Sequence, residues 1–131
     1  MIVYDRPSDI GQDSSNVPLV TVVEPVGSRV SAKKEYLFFG DMYIPLKIRI
    51  TNTTQYNAWT MTINWQELGG VPRSKGVAFS LAPGQTTTLD NDLTLSKGGA
   101  VSVSAWIVAM YTPTQPVSEP AKVVDLQLSV S

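Results

Sequence analysis

The chain contains no cysteine and no histidine. Catalysis by Ser-His-Asp or Cys-His arrangements is therefore excluded, as are zinc sites built on thiolate or imidazole. No disulfide can staple the fold, so the 131 residues must be held by one apolar core, which a chain of this length can build unaided. An excess of charge is also missing: ten Lys and Arg stand against eleven Asp and Glu, for a net charge of −1. That balance removes the counterion-release term that drives nucleic-acid binding, so nucleic acid is not an expected partner. The longest apolar run, Ala105 to Tyr111, is far short of the roughly 20 residues that span a bilayer. Membrane insertion is not expected. Met1 is followed by neither a basic segment nor an apolar stretch, and the bulky Ile2 favours a retained initiator methionine. The expectation is synthesis in the cytoplasm without a signal peptide.

What is present is β-forming sequence punctuated by turns. Residues 1 to 18 are rich in Asp, Ser, Pro, Gly and Asn, and read as an extended N-terminal arm with no core of its own. A single domain is expected over residues 19 to 131. Leu19 to Val23 and Tyr36 to Phe39 are short apolar strands. Leu46, Ile48 and Ile50 alternate with Lys47, Arg49 and Thr51, and Trp59, Met61, Ile63 and Trp65 alternate with Thr60, Thr62 and Asn64. Period-two alternation puts each apolar set on one face of a strand. The two strands are read as a hairpin or as neighbours across a sandwich, with these seven apolar residues in one core. Val77 to Leu81, Thr86 to Leu89, Leu93 to Leu95, Val101 to Tyr111 and Val123 to Val130 bring the total to about seven to nine strands, the number expected of an all-β, two-sheet antiparallel β-sandwich of immunoglobulin-like or jelly-roll-like form.

Leu81-Ala82-Pro83-Gly84-Gln85 before Thr86 to Leu89, preceded by Ile48-Arg49-Ile50-Thr51-Asn52, resembles immunoglobulin-like modules of bacterial, archaeal and viral surface proteins. The resemblance spans roughly residues 44 to 111 and lacks the paired cysteines of antibody domains. It implies a fold and no activity.

The chemistry left to a chain without His and Cys is that of carboxylates. Glu35 with Asp41, or Glu67 with Asp90, are the pairs that glycoside hydrolysis would require, although scattered surface acids look the same in sequence. No enzymatic activity, cofactor or metal is expected. Asp90-Asn91-Asp92 offers oxygens suited to Ca²⁺, but reads better as a polar turn between Leu89 and Leu93. Asn52-Thr53-Thr54 fits the N-glycosylation pattern and reads as a turn. Gly69-Gly70 and Gly98-Gly99 read as hairpin turns, and Lys33-Lys34, Lys47 and Arg49 as solvated charges. Trp59, Trp65, Trp106 and Tyr56 could form a sugar-stacking platform, yet Trp59 and Trp65 share a face with Met61 and Ile63, which places them in the core. Trp106 differs, because its face continues with Val108 and Met110 while the opposite face of the same strand is also apolar. A strand apolar on both faces is covered twice or meets a partner.

The expected role is thus a non-enzymatic structural or assembly protein acting through protein–protein contacts, most concretely a minor capsid, decoration or surface subunit of a virion whose partners are copies of itself in a homo-oligomer or other subunits of a larger assembly. Its location would be a virion or an extracellular surface assembly. The interface is expected at Ile2, Val3 and Tyr4 of the arm and at Trp106, Val108 and Met110 of the domain. The alternative is a carbohydrate-binding or adhesive module of a cell-surface protein. Exposure of two or more coplanar aromatics among Trp59, Trp65, Trp106 and Tyr56 would favour sugar, and their burial the structural role.

Overall fold

The computed structural model describes residues 17–34, 42–112 and 115–131. These contain ten strands and no helix: β1 (Leu19–Glu24), β2 (Arg29–Val30), β3 (Lys33–Lys34), β4 (Met42–Thr51), β5 (Ala58–Glu67), β6 (Arg73–Ser80), β7 (Thr86–Leu95), β8 (Gly99–Thr112), β9 (Gln115–Pro116) and β10 (Ala121–Val130). The arm residues Ile2, Val3 and Tyr4, the Tyr36 to Phe39 segment and the acids Glu35 and Asp41 lie outside the described residues.

Alternation along the seven longer strands produces two sheets. In the smaller one β4 is central, with β7 along one side and β1 followed by β3 along the other. In the larger one the order is β2-β10-β8-β5-β6, with β9 beside the far end of β8. All neighbours are antiparallel except β2, which runs parallel to β10 at Arg29 and Val30. Lettered as in immunoglobulins, β1, β4 and β7 stand as A, B and E, and β6, β5, β8 and β10 as C′, C, F and G. The fold is a β-sandwich with this strand order.

Ile44, Leu46, Ile48 and Ile50 of β4 meet Trp59, Met61, Ile63 and Trp65 of β5 and Val101, Val103, Ala105 and Ile107 of β8 in one buried cluster. The seven residues picked out by alternation are therefore all core, and β4 and β5 are neighbours across the sandwich rather than a hairpin. Trp59 stacks on Phe79, with ring centroids 5.7 Å apart. Trp65 donates its indole N–H to the carbonyl of Thr94 in the opposite sheet at 2.8 Å.

Two expectations about turns are corrected. Asp90-Asn91-Asp92 is the middle of a continuous strand, with Asp90 paired to Lys47 and Asp92 to Pro45 in the β4 register. The polar residues Thr88, Asp90, Asp92 and Thr94 take the outward positions, whereas Leu89, Asn91 and Leu93 turn inward, so the segment obeys the alternation that its turn-forming composition hides. Gly98-Gly99 joins β7 to β8, which belong to different sheets, and is thus a crossover and no hairpin. Gly69-Gly70 does close a hairpin, between β5 and β6.

The sandwich has an open side where β6 and β7 are the edge strands of their sheets. Arg73 and Lys75 of β6 turn inward there: the Arg73 guanidinium donates to Thr94 Oγ1 and Ser96 Oγ, and Lys75 Nζ reaches the Asp92 carbonyl at 3.5 Å.

Candidate functional site

The outer faces of the two sheets differ in chemistry. On the smaller sheet the outward positions include Lys47, Arg49, Asp90 and Asp92, with Lys47 and Asp90 3.8 Å apart and a hydroxyl contact of 2.9 Å between Thr51 and Thr86. Mixed charges on an alternating strand are what a solvated face requires. On the larger sheet the outward positions of β5, β6, β8 and β10 carry two charges, Lys122 and Asp125, which pair with each other at 3.5 Å, and β2 adds Arg29 beside Ser129 at the sheet margin. Depletion of charge is a compositional feature of interface centres.

Strand register divides this neutral face into two halves. Gly76, Thr62, Trp106 and Lys122 form one row across four strands, with the Lys122 ammonium 5.3 Å from the centroid of the Trp106 ring. To one side the surface is apolar and small: Val108 and Met110 are half-buried, Val108 lies opposite Thr60, and Met110 lies opposite Pro116. To the other side Ser74, Asn64, Ser104 and Asp125 make the next row, and Gln66 and Ser102 the one beyond. Here an open groove of about 460 Å³ runs over the strands, lined by these side chains together with Pro72, Arg73 and Lys122. The strong registers that fix both halves follow from the buried inner face, because a slip of one residue would send the core outward.

Trp106 remains 36 % exposed, so it is neither sealed in a core nor fully free. The four-aromatic platform does not form. Trp59 and Trp65 are buried, Tyr56 is half-buried beside the β4–β5 loop, and Trp106 alone reaches the outer surface. The groove residues were not singled out by the sequence. Their signal was a wet face without charges, visible as Thr60, Thr62, Asn64 and Gln66 in β5 and as Ser102 and Ser104 in β8.

Glu67 is buried, and its carboxylate accepts three backbone N–H bonds across the crossover: from Ser96 to Oε1 at 2.9 Å, and from Lys97 and Gly98 to Oε2 at 2.7 Å. Burial pushes this carboxyl up, but the donors of Lys97, Ser96 and Gly98 outweigh it, aided by the Arg73 guanidinium, and hold the group below its ordinary value. Asp90 instead faces outward from the smaller sheet beside Lys47. One acid points into the sandwich and the other away from it, so Glu67 and Asp90 do not face a common cleft as a pair of glycosidic acids must. Among the described residues no cluster of three or more acids gathers as a metal site.

Asn52, in the glycosylation pattern, is 1 % exposed. Its amide nitrogen donates to the carbonyls of Tyr56 and Leu81, both at 2.7 Å, while Oδ1 accepts the backbone N–H and the hydroxyl of Thr54, both at 2.8 Å. The backbone of Asn52 also bonds to Gln85 and Gly84 of the Pro-Gly turn, where Gly84 takes a φ of 85°. This side chain is a structural tie, and a glycan on its nitrogen is incompatible with the packing.

No family model matches the chain, and no curated protein does. A solved structure similar to it is the crystal structure of the C-terminal domain of wzt, at 12 % sequence identity and a TM-score of 0.50, with 96 % of this chain and 80 % of that chain covered. The likeness is one of fold, and the two chains share a β-sandwich architecture.

Proposed function

We propose that the chain is a non-enzymatic structural subunit that acts through protein–protein contacts, and that its contact surface on the folded domain is the outer face of the larger sheet around Trp106, Val108 and Met110. The observation that carries this reading is the contrast between the two outer faces: one bears mixed charges, and the other exposes a tryptophan beside half-buried apolar side chains with a single internal ion pair. Interface centres are poor in charge and rich in aromatic residues. The concrete form, a capsid-associated, decoration or surface subunit of a virion, rests on the polar arm of residues 1 to 18 placed before a sandwich, with Ile2, Val3 and Tyr4 as its anchor.

Light scattering of the full chain beside Trp106→Asp and a chain lacking residues 1 to 18 tests the assignment, with circular dichroism reporting the fold. Both variants are expected to fold and to lose self-association or attachment to a larger particle. Unaltered assembly in both would discard the reading.

A second reading, a carbohydrate-binding module, is favoured by one separate observation, the groove of hydroxyl and amide side chains next to Trp106.

A further inference from the structure

Taking up the carbohydrate reading, on which it rests, we propose that the groove on the larger sheet holds the interior of an uncharged polysaccharide chain lying across the strands. Ser74, Asn64, Ser104 and Asp125 supply its floor, Lys122 lines one side, and Trp106 stands in the neighbouring row of the same face.

The argument begins with hydrogen-bonding capacity. Within the described residues the side chains of Asn64, Ser74, Ser102 and Ser104 make no hydrogen bond, although they stand together on one surface. An amide offers donors and acceptors at once, and so does each hydroxyl. Such a set matches the vicinal hydroxyls of a sugar, each of which also donates and accepts. Tight binding of a phosphate or carboxylate would in addition call for a surplus of positive charge. Charge points the same way. Lys122 and Asp125 neutralise each other, and the Arg73 guanidinium, which also borders the groove, is engaged by the Thr94 and Ser96 hydroxyls. Trp106 then adds the single apolar plane beside this floor, at the next outward position of β8 after Ser104. An aromatic face there would stack on the C–H face of a pyranose ring while the floor binds its hydroxyls.

The direction and openness of the groove follow from topology. Its floor row runs perpendicular to the strands, one residue from each of four neighbours, and at the usual strand spacing it extends about 14 Å, long enough for more than one ring in line. At one end β6 is the sheet edge, with small Ser74 and Gly76 outward. At the other end β10 is covered by β2 only at Ser129 and Val130, so among the described residues nothing pairs with β10 beside Asp125. Among the described residues neither end is closed off, and such a groove accepts the middle of a chain, whereas recognition of a chain end needs a closed one.

Affinity electrophoresis through gels containing a soluble β-glucan, a mannan, a galactan or a polyuronate tests the proposal, with calorimetry on the matching oligosaccharides and monosaccharides. The expected result is retardation by at least one of the neutral polymers, competition by its oligosaccharide and none by its monosaccharide. Ser104→Tyr, which fills the floor, and Asn64→Ala should each weaken binding about tenfold or more, with melting temperatures showing that they fold. Thr88→Tyr on the opposite sheet should bind like the unaltered chain. Competition by the monosaccharide as strong as by the oligomer would overturn recognition of a chain interior while leaving a sugar site. Retardation by none of the neutral polymers, or by the polyuronate alone, overturns the proposal and the carbohydrate reading together. A loss of self-association on Trp106→Asp in that case assigns the face to a protein partner.

Discussion

The indole N–H of Trp65 reaches across the sandwich to the carbonyl of Thr94, 2.8 Å away in the other sheet. One aromatic side chain thereby fills the core and fastens the edge strand β7, whose Thr94 hydroxyl also receives the Arg73 guanidinium. Trp65→Phe keeps most of the apolar volume and removes the donor. It is expected to cost about 1–3 kcal/mol, from the lost hydrogen bond and the space left by the smaller ring. Urea unfolding measures this as a lowered midpoint at constant slope; an unchanged midpoint would mean that the cross-sheet bond contributes nothing.

Glu67 plays the corresponding role at the β7–β8 crossover. Its native pKa lies below the ordinary 4.5, so its stabilising effect is fully present above that pH and is lost as the pH falls through the lower native value. Glu67→Gln keeps the shape but surrenders the charge and one acceptor, and should destabilise the fold by about 2–3 kcal/mol at neutral pH. The difference between the two proteins should shrink as the solution is acidified below pH 4.5, which thermal melts across an acid pH series will read. A gap that stays constant with pH would remove Glu67 as the source of acid sensitivity.

Asn52 is tied to both the β4–β5 loop and the start of the β6–β7 turn through four side-chain hydrogen bonds. Asn52→Ala strands the carbonyls of Tyr56 and Leu81 and the N–H of Thr54, and a cost of about 2–4 kcal/mol is expected. Thr54→Val should cost less, because it leaves both carbonyl contacts of Asn52 in place. Chemical denaturation of the two variants orders them, and the reverse order would show that the threonine, not the asparagine, organises this end.

The core was legible in the sequence because it depends on nearest alternation: Leu46, Ile48 and Ile50 in one strand, and Trp59, Met61, Ile63 and Trp65 in another, each announce a face on their own. At residues 90 to 92 local composition and alternation disagree: Asp and Asn favour turns, whereas the alternation continues from Thr86 to Leu95. The groove was not legible at all. Its floor draws Ser74, Asn64, Ser104 and Asp125 from four strands, and no one segment contains enough of it to stand out. Only the register that brings Asn64 opposite both Ser74 and Ser104 makes it a surface. Glu67 was noticed as an acid, but its three donors lie about 30 positions away along the chain and could not be inferred from its neighbours.

The inward cations at the open side have a consequence for crowding. Exposed strand edges are templates for pairing with other copies, and long flat ones seed fibrils. Here β6 and β7 lie side by side with Arg73 and Lys75 folded across the gap between them. A second molecule approaching either edge in strand register would have to displace these side chains from their oxygen partners. Strand-to-strand pairing between copies of this chain is therefore disfavoured along the β6 and β7 edges.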